Sequence, residues 1–150
     1  MKLATALSER AEIQRKIAGL SSRLNINAKV QEGDEPDENP YELLDELNNA
    51  FKRLEELIAR INRTNNETEY EGKSISDLIA KRDCLKERVK ILRSFLDEAS
   101  SRVNRYSKAE IKINSTVEVA ELRKEADLLA KELRETDELI QSLNWTTDLI

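Results

Sequence analysis

The run SISDLIAKRDCLKERVKILRSFLDEASSRV, residues 74–103, decides the fold. Ile75, Leu78, Arg82, Leu85, Val89, Leu92, Leu96, Ala99 and Val103 follow one another at alternating spacings of three and four. That alternation keeps one face of a helix apolar, and it lasts here for about eight turns. Arg82 is the single polar member. Ser74 and Asp77 form a capping box at the start, so the stretch reads as a helix over about 75–104.

The same period extends in both directions. Upstream, Asn39 and Pro40 are a helix cap and a first helical residue, and a helix over about 40–69 follows. Leu44, Leu47, Phe51, Leu54, Ile58 and Ile61 form its seam, widened by Leu43, Ala50 and Leu57, and Gly72 ends the run. Leu3, Ala6, Arg10, Ile13, Ile17, Leu20 and Leu24 make a first helix over about 2–24. Downstream, a second capping box, Ser115 to Glu118, opens a helix over about 116–143. Its seam is Val119, Leu122, Ala126, Leu129, Leu133, Thr136, Ile140 and Leu143. Between these helices the period twice switches to two, at Ile26, Ala28, Val30 and at Ile111, Ile113, as in short strands.

These elements predict one all-α domain over residues 1–150. Four long helices run up, down, up and down with coiled-coil-like seams. The tight turn near Gly72 joins the second and third. The two long links meet at the other end, where Ile26–Val30 pairs with Ile111–Ile113 as a small ribbon.

Composition excludes more than it names. Among 150 residues there are no His and one Cys. This removes imidazole acid–base catalysis, His-based metal sites, Cys clusters and internal disulfides. A net charge of −5 argues against nucleic acid as a partner. No stretch approaches the roughly 20 apolar residues of a membrane span. The N-terminal apolar run is too short for a signal peptide, so the expected compartment is the cytoplasm.

Several phrases are distinctive: Asn27-Ala-Lys-Val-Gln-Glu-Gly-Asp-Glu-Pro36, Ile61-Asn-Arg-Thr-Asn65, Arg82-Asp83, Arg105-Tyr-Ser107, Glu110-Ile-Lys112, Ser115-Thr-Val117 and Leu143-Asn-Trp-Thr-Thr147. In these the chain resembles, over essentially its whole length, a family of small bacterial proteins labelled septicolysin. The resemblance implies a lytic, membrane-active protein and carries over no catalytic or ligand residue.

The seams hold a few polar members. Arg10, Arg82 and Thr136 each lie seven positions from one end of their seams, and Asn62 adjoins Ile61 at about the same height. Together with Asp83 they form a candidate polar layer, which either fixes helix register or binds an anion. Buried guanidiniums need acidic partners, and Asp83, Glu9 and Asp137 adjoin the layer in sequence. Glu32, Asp34 and Glu35, in the acidic loop 32–38, are weak candidates for a cation, although their spacing is not that of an EF-hand. Cys84 reads as a half-buried packing residue, and Trp145 as the residue closing one end of a core. No cofactor is named by any motif, and no catalytic constellation is recognisable. The apolar stripes on the second and third helices exceed what one core requires. A structural or interaction protein is therefore expected, forming a homo-oligomer: a dimer or a multiple of it. The alternatives are a membrane-active protein without stable insertion, and a carboxylate-based metal or ligand-binding protein.

Overall fold

The computed structural model describes residues 1–101 and 112–150. The fold is all-α, with α1 (Leu3–Ile26), α2 (Pro40–Glu67), α3 (Ile75–Ser100) and α4 (Val119–Thr146). One small antiparallel ribbon joins β1 (Glu69–Tyr70) to β2 (Lys73–Ser74). The chain forms two compact units, Met1–Ile75 with Gln141–Ile150, and Ser76–Ile140.

In the first unit α1 and α2 are an antiparallel hairpin. Its direction is marked by ion pairs that descend one helix as they climb the other: Glu9–Arg53 at 2.7 Å, Lys16–Glu46 at 3.8 Å, and Arg23–Glu38 at the loop end. The Asn39 side chain accepts from Tyr41 N at 2.9 Å and Pro40 follows it, so α2 begins where its cap and proline place it. The core holds Leu3, Ala6 and Leu20 of α1 and Leu43, Ala50, Leu57 and Ile61 of α2. The last residues of the chain close this unit. Thr147 O accepts from Leu3 N at 2.9 Å, Met1 O accepts from Leu149 N at 2.8 Å, and Lys2 bonds Asp148 at 2.9 Å. Thr64, wholly buried, donates its hydroxyl to Arg60 O and accepts from Ile150 N.

In the second unit α3 and α4 also run antiparallel. Lys81–Glu132 at 3.0 Å and Arg88–Glu125 at 3.7 Å bridge them along their length. Leu78, Leu85, Val89 and Leu96 of α3 are buried, as are Ala126, Ala130 and Ile140 of α4. All but Ala130 are seam residues by period.

The ribbon is not where the alternation predicts it. α1 continues through Ile26, and Asn27 stops it by donating its side chain to Arg23 O at 2.8 Å and accepting from Glu38 N at 3.0 Å. Ile26 and Val30 face solvent, so no apolar face exists there for a strand to bury. Residues 112–114 carry no strand. Ile111 lies outside the described residues, as do 102–104, the predicted end of the third helix. The ribbon forms instead around Glu71 and Gly72, both at positive φ (50° and 78°), the mirror-type turn that suits the twist of a two-residue hairpin. A side chain at Glu71 is costly in that region. Replacing Glu71 with asparagine, which tolerates it, is expected to stabilise the protein by about 0.5 kcal/mol, read as a higher urea midpoint.

α4 opens at Val119, three residues after the predicted start. Ser115 Oγ caps only a local turn, accepting from Val117 N at 3.4 Å, and Glu118 O takes the first helical hydrogen bond, from Leu122 N.

Candidate functional site

The structure divides the candidate polar layer between the units. Arg82, Asp83, Thr136 and Asp137 come together on α3 and α4. The Arg82 guanidinium is half-buried and held by two carboxylates, Asp83 at 3.1 Å and Asp137 at 3.4 Å. These are two of the acidic neighbours the charge argument requires. Thr136 is buried in the α4 seam and satisfies its hydroxyl on its own helix, at Glu132 O, 2.8 Å away. A shallow cleft of about 390 Å³ opens beside this cluster, lined by Arg82, Asp83, Lys86, Leu133, Arg134 and Asp137.

Arg10 and Asn62 belong to the other unit. Arg10 is half-buried on α1, and Asn62 is exposed on α2. Glu9, the third acidic neighbour, is taken by Arg53, whose hydrogen bond holds the Glu9 carboxyl below its ordinary value. Glu38 is lowered likewise by the hydrogen bond from Arg23, and Asp148 by that from Lys2.

Glu32, Asp34 and Glu35 are exposed in the α1–α2 loop. Among the described residues no three carboxylate or thiol side chains converge as metal ligands. Cys84 is exposed rather than half-buried, because it stands one position off the α3 seam. Trp145 is 66% exposed and closes no core; Leu149 is the buried residue at that end.

The feature that stands out is apolar. α2 carries two parallel stripes: Leu43, Ala50 and Leu57 of one are buried on the side toward α1, and Thr64 at its end lies under the C-terminal residues. The other, Leu44, Phe51 and Ile58, is left in solvent, with Phe51 50% exposed. This reverses the reading in which Leu44, Phe51 and Ile58 are the seam and Leu43, Ala50 and Leu57 its margin. Period alone does not distinguish two stripes that lie side by side on one helix. Phe51, Leu54, Glu55, Ile58, Ala59 and Asn62 line a shallow groove of about 550 Å³ along the open stripe. A second apolar groove runs along α3, where Ile91 (66% exposed) and Phe95 stand beside Leu92 and Leu122, as the extra stripe on that helix leads one to expect. Among the described residues no helix is long and apolar enough to cross a membrane.

The fold is shared with a crystal structure of a functionally unknown conserved protein from Corynebacterium diphtheriae. The two are 46% identical in sequence and superpose with a TM-score of 0.91 over 100% of this chain and 99% of that one. No curated protein matches the chain. Neither the family model that matches nor this structure carries the septicolysin name. The model matches residues 10–149 and is described as a family of unknown function. With nearly the whole chain inside that match, the protein belongs to the family of unknown function DUF6847.

Proposed function

We propose that the protein is a helical interaction protein that works by associating with itself, as a closed symmetric dimer or a multiple of it. The observation that carries this is the open stripe of α2. Large side chains at Leu44, Phe51 and Ile58 lie in solvent in line, on a long regular helix. Contiguous exposed apolar surface of this kind marks a contact surface, and a surface of a single chain type most often meets its own copy about a two-fold axis. The exposed thiol of Cys84 suits a reducing compartment, which supports a cytoplasmic setting.

Sedimentation velocity at micromolar concentration tests the reading. The wild type is expected to sediment as a dimer or higher assembly. Phe51→Asp places a charge in the stripe and is expected to weaken association by about a hundredfold without lowering helix content. A monomeric wild type overturns the proposal. The septicolysin resemblance implies that lipid is the ligand instead. Dye release from anionic vesicles by the wild type, abolished in Phe51→Asp, would move the stripe to that reading.

A further inference from the structure

The two long sides of the α1–α2 hairpin differ. One carries the ion pairs Glu9–Arg53 and Lys16–Glu46. The other carries the open stripe, Leu44, Phe51 and Ile58, with Leu54 half-buried at its edge. Successive helical residues turn by about 100°. On α1 that turn sets Arg10 on the flank of the seam away from Glu9 and Lys16, and so beside the open stripe. The ion pairs also fix the level: with Glu9 opposite Arg53, Arg10 stands opposite Lys52, within one turn of Glu55.

Glu55 is the charged residue of the α2 groove, and it lies on the margin of the stripe farther from α1. Neither Arg10 nor Glu55 has a charged partner among the described residues. Half-buried Arg10 and exposed Glu55 thus flank an apolar strip at nearly one height and form no ion pair with each other within the chain. A two-fold axis running along the middle of such a strip, in the plane of contact, exchanges its margins and keeps its direction. It brings each charge of one copy onto the opposite charge of the other.

We propose that a second copy of this chain docks on this face about a two-fold axis that runs along the open stripe, parallel to α2. Arg10 of each copy then pairs with Glu55 of the partner subunit, over a core built from both open stripes. This rests on the self-association proposed above and names its surface. Two hairpins joined in this way form a four-helix core, in which α2 buries the second stripe that α1 leaves uncovered. The charges supply direction and partner choice, and the apolar stripe supplies affinity.

Charge reversal tests the geometry on the full chain, by sedimentation velocity with circular dichroism to follow folding. Arg10→Glu alone sets two carboxylates against each other at both margins of the interface. Glu55→Arg alone does the same with two guanidiniums. Each is expected to weaken dimerisation by about tenfold or more. An equimolar mixture of the two is expected to recover wild-type affinity as a heterodimer, because both cross-pairs are then opposite in sign. The double variant Arg10→Glu/Glu55→Arg is expected to recover it as a homodimer. Single variants that dimerise as well as the wild type overturn this geometry and leave self-association standing, as do a mixture and a double variant that both fail to recover. A monomeric wild type overturns both.

Discussion

Leu57→Ala is expected to lower the stability of the protein by about 3 kcal/mol, read as a fall in urea midpoint at unchanged slope. Leu57 has no exposed surface and sits mid-helix on the stripe of α2 that faces α1. The Glu9–Arg53 register sets it level with Thr5 and Ala6. Ala6 is itself fully buried and already small, so α1 has no longer side chain there to fill the space that Leu57 leaves. Cavities that cannot collapse fall in the costly part of the leucine-to-alanine range. Phe51→Ala, one position outside the covered stripe on the next turn, is the contrast. Half its surface is in solvent already, so the stability of the monomer stays within about 0.5 kcal/mol of wild type. The two variants together measure which stripe of α2 is core.

Deleting residues 147–150 is expected to cost about 6 kcal/mol. The deletion removes the acceptor of Leu3 N, the donor to Met1 O and the donor to Thr64 Oγ1. It also removes the buried Leu149 and the contact of Arg60 Nε with Ile150 O at 2.9 Å. Each lost hydrogen bond is worth about 1 kcal/mol, and a buried leucine about 2 kcal/mol. Much of the loss is desolvation: Thr64 stays in the core with one of its two partners gone. Thermal unfolding followed at 222 nm reads the effect, and a truncated chain that melts with the wild type would show that the closing segment contributes nothing.

The helices were legible because their signals are local. Asn39 and Pro40 mark the start of α2, the one by supplying an acceptor to the unpaired N–H groups of the first turn and the other by its fixed φ. The three–four spacing places α1, α3 and α4 within a few residues of their ends. The ribbon was not legible. Ile26, Ala28 and Val30 alternate as a strand does, but a strand needs a partner and a core face, and what holds that segment is the side chain of Asn27 bonded to two backbone groups. The true ribbon has two residues a side around Glu71-Gly72, too short to show a period. The candidate cluster was half legible. A half-buried guanidinium must find carboxylates, which names Asp83 and Asp137 for Arg82. Which of two adjacent stripes on α2 meets α1 depends on the partner helix, and no residue of α2 alone records it. Cys84 and Trp145 went the same way: each is a residue type most often inside, placed one step from the face that is covered.

The first unit is discontinuous: residues up to Ile75 wait for Gln141–Ile150 before it is complete. Synthesis runs from the N-terminus at roughly 5–20 residues per second. The α1–α2 hairpin therefore leaves the ribosome several seconds before the segment that covers Thr64 and bonds Met1 and Leu3 exists. During that interval Leu3 N, Met1 O and Thr64 lack partners they have in the finished unit, alongside the stripe already open on α2. The contacts that complete the unit, Lys2 with Asp148 and Leu3 with Thr147, span nearly the whole sequence and are of the non-local kind that slows folding. The order of birth thus leaves the nascent hairpin incomplete, with more apolar surface open than in the finished unit, until the end of the chain arrives.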